Sequence, residues 1–155
     1  MLLIAGTSKW HEVGEQQLEA PVMHVAYNAR QRTICVLFEG GAVQLLSMDL
    51  VPVTSAGQRR NAFGIELPDA LPEADRETRE KRQRDAWRPR LVLLTDECHV
   101  LVYNEADSCV YLFDEAGRYL SAHRVPRPVR AWCSSRARRL FLLDDRDAVS
   151  ALEIS

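Results

Sequence analysis

Cys98 and His99 are neighbours in the chain, and with His123 and Cys133 they make two thiols and two imidazoles, the donor types that hold zinc when they meet at one point. Their order works against such a site. Adjacent residues of a strand point to opposite faces, so Cys98 and His99 share an ion only at a bulge or a turn. The four cysteines, Cys35, Cys98, Cys109 and Cys133, are 63, 11 and 24 positions apart, which matches no zinc-ligand interval. The reading is therefore no metal site and no cofactor, with the thiols serving as small buried hydrophobes. Catalytic motifs give no firmer anchor. There is no Gly-x-Gly-x-x-Gly, no phosphate loop, no Gly-x-Ser-x-Gly and no His-Glu-x-x-His. No catalytic residue is assigned, and the expected class is not an enzyme.

A second chemistry is written in arginine. Arg124, Arg127, Arg130, Arg136, Arg138 and Arg139 cluster around Trp132, so guanidinium groups lie beside an indole that can stack on a base. This makes a nucleic-acid-binding module one alternative. Glu115, Asp144, Asp145 and Asp147 lie close by and offset the attraction for a polyanion. The whole chain carries 20 basic and 22 acidic residues, a net charge of −2, so no global field favours a polyanion or an anionic membrane. Of the 20 basic residues 18 are arginine, a bias that base composition of the coding sequence explains as well as any interface does.

These groups must be held by short strands. Ile34-Cys-Val-Leu-Phe38, Val100-Leu-Val-Tyr103 and Leu140-Phe-Leu-Leu143 are each followed by a polar turn and a second strand. That second strand reads Val-x-Leu-Leu-Ser at 43–47, Val-x-Leu-Phe-Asp at 110–114 and Val-x-Ala-Leu-Glu at 149–153. A strand precedes each hairpin: residues 25–34 align with 131–140 over ten positions, pairing Ala26 with Trp132, and Leu91–Leu94 takes the same place in the middle unit. Asp114-Glu-Ala-Gly117 then opens a fourth strand, Arg118–His123. One unit is four short antiparallel strands in about 40 residues, the signature of a propeller blade.

Over residues 22–53 and 90–155 the chain resembles a stretch of WD40-type β-propeller, and Val110-Tyr-Leu-Phe-Asp114 is similar to the end of the third strand in that family. No Gly-His and no Trp-Asp dipeptide occurs, so the resemblance is to a divergent WD40 propeller or to a propeller outside that family, and it does not extend to the side-chain network those letters imply. The expected fold is all-β: about three four-stranded antiparallel propeller-type blades, an incomplete propeller, with one charged insertion. The role the resemblance implies is a scaffold that holds protein partners in a multisubunit complex.

The insertion is legible from spacing and composition. The repeated valines, Val43, Val110 and Val149, are 67 and 39 positions apart, so the first interval holds 28 extra residues. Residues 57–90 contain Pro68, Pro72 and Pro89, and charges crowd 73–90, where Glu77–Lys81 and Glu80–Arg84 have the spacing of an exposed helix. The expected map is a first blade with an N-terminal strand at 1–56, a charged loop or short helix at 57–90, and a second blade with most of a third at 91–155.

Propellers close with about 4–8 blades, so three blades leave an edge and a face open. Val149, Ala151, Glu153 and Ile154 are the expected partner-binding residues, on an edge to be covered by other protein subunits that complete or cap the propeller. A strand at Met1–Ala5 is the candidate for filling that edge from within the chain. The remaining alternative is a small β-barrel enzyme with a pocket around His99, His123, Asp144 and Asp145. No apolar run approaches the ~20 residues that span a bilayer, so a membrane is not an expected partner, and cytosol or nucleus is the expected location.

Overall fold

The structure is a computed structural model that describes residues 9–18, 20–39, 41–52, 62–63, 87–135 and 138–154. Eleven strands run in chain order: β1 (Val22–Asn28), β2 (Thr33–Phe38), β3 (Val43–Ser47), β4 (Ala62–Phe63), β5 (Pro89–Leu94), β6 (Val100–Asn104), β7 (Cys109–Phe113), β8 (Tyr119–Arg124), β9 (Val129–Ser134), β10 (Arg139–Asp144) and β11 (Val149–Glu153). They form three separate antiparallel sheets ordered β1-β2-β3-β4, β5-β6-β7-β8 and β9-β10-β11. Each sheet is a blade, and β1, β5 and β9 lie side by side as the inner strands. The fold is thus all-β and propeller-like, without closure. Among the described residues no strand joins one sheet to the next, so these strands form separate blades and not the closed small barrel of the alternative reading.

Turn chemistry explains why the strands are so short. Among the described residues, five turns share one frame, opening at Phe38, Ser47, Thr95, Asp114 and Asp144. In each, the first residue's N–H donates to the carbonyl four residues on, and the fourth residue's N–H returns to the first carbonyl. The fourth residue is left-handed in all five: Gly41, Leu50, Cys98, Gly117 and Asp147, with φ between 62° and 91°. This is the type I turn followed by a left-handed residue that joins short hairpins. Side chains reinforce it. Asp114 Oδ1 accepts the N–H groups of Ala116 and Arg118 at 2.9 Å each, and Asp144 Oδ1 accepts those of Arg146 and Ala148 at 2.8 and 3.0 Å. The Ser or Asp that ends the Val-x-Leu repeat at 47 and 114 is therefore the opening residue of the next turn.

The core lies between blades. On one side of the middle blade Val92, Leu94, Val100, Val102 and Phe113 pack against Cys35, Leu37 and Val43 of the first. On its other side Leu91, Leu93, Leu101, Tyr103 and Val110 pack against Val129, Leu140 and Leu142 of the third. Both faces of the middle sheet are covered, so β5 and β6 are almost wholly buried and read as unbroken apolar runs. Each fully buried aliphatic side chain there stabilises the fold by about 1.5–3 kcal/mol relative to exposure.

The alignment of 25–34 with 131–140 is right for β2 and β10 and one residue out for β1 and β9. Ala26 opposes Cys35 and Cys133 opposes Phe141, so Ala26 corresponds to Cys133, and Trp132 corresponds to Val25. The turn after β1 is longer by one residue than the turn after β9, and a one-residue slip exchanges the two faces of a strand. Trp132 still reaches a core, but the one between the second and third blades, whereas Val25 lies on the first blade's other face.

Within the segment 57–90, β4 completes the first blade by pairing Phe63 with Val43 and Ala62 with Gln44, and β5 begins at Pro89. The helix considered within 73–86 and the strand considered at Met1–Ala5 lie outside the described residues.

Candidate interaction surfaces

The inner strands meet through backbone groups that no ladder uses. Val92 in β5 turns its N–H and carbonyl away from β6. The N–H donates to His24 Nδ1 of β1 at 3.1 Å, and the carbonyl accepts the indole N–H of Trp132 in β9 at 3.2 Å. Two positions on, the Leu94 carbonyl accepts the amide of buried Asn28 at 2.7 Å. The same amide reaches Asp96 Oδ1 at 3.0 Å, while Asn28 Oδ1 receives the Gln31 N–H at 2.8 Å, and Gln31 in turn donates its amide to the Asp96 carbonyl. On the other side Tyr103 Oη accepts the Val129 N–H at 3.3 Å. An unsatisfied buried backbone group costs about 1–3 kcal/mol, so these side chains stabilise the blade order as well as linking it. Burial holds His24 below the ordinary imidazole pKa, and accepting the Val92 N–H requires Nδ1 to be unprotonated.

Two flanks of the array face outward. On the first blade Val36, Phe38 and Leu46 form a further core with Leu18, Ile34 and Ala42. On the third blade, cross-strand pairing puts Ala131, Cys133, Phe141, Leu143, Val149 and Ala151 on the face turned away from the second blade. Val149 is 69% exposed, and Ala131, Cys133 and Ala151 are exposed too. β11 is bonded to β10 alone among the described strands, whereas β3 and β7, its counterparts, each carry a fourth strand on the outside.

The residues singled out from sequence divide accordingly. Val149 and Ala151 lie on the open flank, and Glu153 is exposed opposite Arg139 at its end. Ile154 turns inward against the core between the second and third blades, and its N–H donates to the Arg138 carbonyl at 2.8 Å. In the arginine cluster, Arg127 pairs with Asp145 at 2.8 Å, Arg130 with Asp147 at 2.6 Å and Arg138 with Glu97 at 2.7 Å. Arg124 is exposed on β8 beside Cys109, Arg139 opens β10, and Arg136 lies outside the described residues. Trp132 is half-buried between blades with its indole N–H donated.

Cys98 sits at the left-handed position of the Thr95–His99 turn, the setting in which it and His99 were able to face one point. Among the described residues no three His, Cys, Asp or Glu side chains converge as a metal site. His99 is in the turn after β5 while Asp144 and Asp145 are in the turn after β10, at the opposite ends of their blades, so the pocket imagined around them does not form. Sequence reasoning did not find His24 or Asn28, because a single His or Asn in a strand gives no signal until its neighbour across the blade boundary is known.

A cleft runs along the ends of the inner strands. Its outer part, about 340 Å³, is lined at the junction of the second and third blades by Thr95, Glu97, His99 and Arg139 over Leu112, Leu120 and Ile154. Its inner part, about 520 Å³, is bounded by Tyr27, Asn28, Ala29 and Arg30, and Asp96, Ser134 and Ser135 line both. No helix among the described residues is long and apolar enough to cross a membrane.

No family model and no curated protein matches the chain. Solved structures do. Hsv2 of Kluyveromyces lactis aligns with a TM-score of 0.58 and 11% identity over 88% of this chain and 34% of its own. BamB from Moraxella catarrhalis aligns at 0.57 and 10% over 89% and 35%. BBS1N, solved in complex with ARL6DN, aligns at 0.52 and 14% over 90% and 39%. These are β-propeller proteins, and the likeness shows that fold for this chain. The chain spans about a third of the length of the structures it matches.

Proposed function

We propose that this chain is a non-catalytic, divergent WD40-type propeller module that works as a protein-interaction subunit, seating a blade-like sheet of a partner polypeptide on its third blade. The observation that carries the reading is the open flank of that blade, where Ala131, Cys133, Phe141, Leu143, Val149 and Ala151 share one face. Two blade-to-blade interfaces already exist in the chain, and this face continues their series: Phe141 and Leu143 stand where Cys35 and Leu37 meet the second blade. The occupant that fits a twisted apolar sheet face is another such sheet, and the outer edge of β11 offers it backbone hydrogen bonds besides. BBS1N, one of the propellers this chain is similar to, was solved in complex with another protein, ARL6DN, which supports a protein-binding role without bearing on the face used.

Sedimentation of the purified chain tests the proposal. The expected result is self-association through the uncovered flank, reduced to monomer by Val149→Asp with Phe141→Asp. A wild-type chain that sediments as a monodisperse monomer and melts in one cooperative transition overturns it.

A further inference from the structure

The two ends of the blade series carry the two halves of one interface. At the junction of the first and second blades, Cys35 and Leu37 of β2 pack with Val92 and Leu94 of β5. On the third blade, Phe141 and Leu143 hold the places of Cys35 and Leu37. On the first blade, Val25 and Tyr27 hold the places of Val92 and Leu94. The last backbone pair before the turn is Asn28 with Thr33 in the first blade and Thr95 with His99 in the second, and the residues one and three positions earlier are Tyr27 and Val25 in one, Leu94 and Val92 in the other.

Exposure follows this placement. Val92 and Leu94, under the first blade, are 0% and 3% exposed, and Trp132, at the same place as Val25 in the third blade, is half-buried against the second. Val25 and Tyr27 are 53% and 52% exposed, and among the described residues no blade lies over them. One flank thus offers the residues that a preceding blade would cover, and the other offers the residues that would cover them.

Blade count selects the occupant. Each chain folds three blades, and propellers close with about 4–8, so two copies supply six blades and close within the range, whereas three copies supply nine and exceed it. We propose that two copies of this chain close a six-bladed ring, with Phe141 and Leu143 of each seated on Val25 and Tyr27 of the other. This rests on the reading of the third-blade flank as a protein-binding surface, and it names both the partner and the partner's face. Each junction joins unlike faces, third blade to first, so the ring holds two identical junctions and leaves no flank over, which ends assembly at the dimer. The outer halves of the two flanks are compatible as well. Leu18 packs on Val36, Phe38 and Leu46 of β2 and β3 and leaves β1 bare. Among the described strands the third blade has no fourth strand where β4 and β8 stand in the other two, which leaves room at the outer side of the junction for the segment that carries Leu18.

The test is sedimentation equilibrium of the full chain, of flank variants and of their mixture. The wild type is expected at twice the chain mass. Tyr27→Asp on the first-blade flank, and Val149→Asp with Phe141→Asp on the third, are each expected to abolish the dimer, because every junction needs one intact flank of each kind. Thermal melts confirm that the variants stay folded, and Val25→Asp replaces Tyr27→Asp if the latter does not melt cooperatively. An equimolar mixture of the first-flank and third-flank variants is expected to restore a dimer, since one of its two junctions joins intact faces; with that single junction it dissociates at least about tenfold more readily than the wild type. A wild type larger than a dimer, first-flank variants that still dimerise, or a mixture that stays monomeric overturns the ring and leaves the third-blade flank as an interface of another kind. A monomeric wild type overturns both readings.

Discussion

Trp132 and His24, from the third and first blades, grip the same residue of the second: the indole N–H donates to the Val92 carbonyl at 3.2 Å while the imidazole accepts the Val92 N–H at 3.1 Å. In a sheet the inner edge of β5 would be an unpaired strand edge. Here two side chains stand in for the missing strand, one on each side, and the three sheets become one array.

Replacing Trp132 by Phe is expected to destabilise the chain by about 1–3 kcal/mol, from the lost hydrogen bond and the cavity left between blades. Cys133→Ser, at the adjacent residue on the opposite face, is expected to change stability by less than about 0.5 kcal/mol because it is exposed. Urea unfolding of the two variants checks this. Equal losses would mean that the faces of β9 are assigned the wrong way round.

Asn28→Asp should cost more than Asn28→Ala. Either change removes the amide donor to Leu94, but the carboxylate also sets a negative charge beside that carbonyl and Asp96. A loss of about 1–3 kcal/mol for the alanine variant is expected from leaving buried groups unsatisfied, and denaturant midpoints will rank the pair.

The His24 pKa is lowered by burial, so the unfolded chain binds this proton more readily than the folded one. Its contribution to stability is complete above the ordinary imidazole value of 6.5 and is lost as pH falls below that value toward the folded pKa. The melting temperature should therefore drop between pH 7 and pH 5, and His24→Gln, which does not titrate, should flatten that part of the profile. A drop of the same size in the variant would assign the effect to other groups.

Gly41 has φ of 91°, and a Cβ there would stand 2.2 Å from the indole nitrogen of Trp87. Gly41→Ala is expected to destabilise the first blade by about 1–3 kcal/mol, through left-handed backbone strain and overpacking together. A shift in the near-ultraviolet signal of the Trp87–Tyr111 edge contact, whose ring centroids are 5.3 Å apart, should accompany the loss.

Burial pushes the Cys35 thiol up to about 12, whereas Cys133 is exposed on the flank of the third blade. A water-soluble disulfide reagent should modify Cys133 in the native chain and reach Cys35 only on unfolding. Early labelling of Cys35 would show that the first and second blades part readily.

Sequence alone determined the strands other than β4, which falls in the segment read as a charged loop or short helix, because the alternation of short apolar runs with turn residues at set offsets is local chemistry. Asp114-Glu-Ala-Gly117 and Asp144-Asp-Arg-Asp147 announce their turns, and the repeat that opens on Val43, Val110 and Val149 places the third strand of each blade. It also gave a count of three blades, fewer than the 4–8 that close a propeller. What it could not supply is whatever depends on partners far along the chain. The extra residue in the turn after β1 shifted the apparent match of Ala26 from Cys133 to Trp132, and only the cross-strand register revealed which face each occupies. His24 finds Val92 from 68 residues away and Asn28 finds Leu94 from 66, so neither carries a local signal. The same holds for the cleft, whose aliphatic base is gathered from β7, β8 and the residue after β11. Turns are decided by neighbours in the chain, while faces, staples and clefts are decided by how separate sheets stack, and that is a property of the tertiary structure.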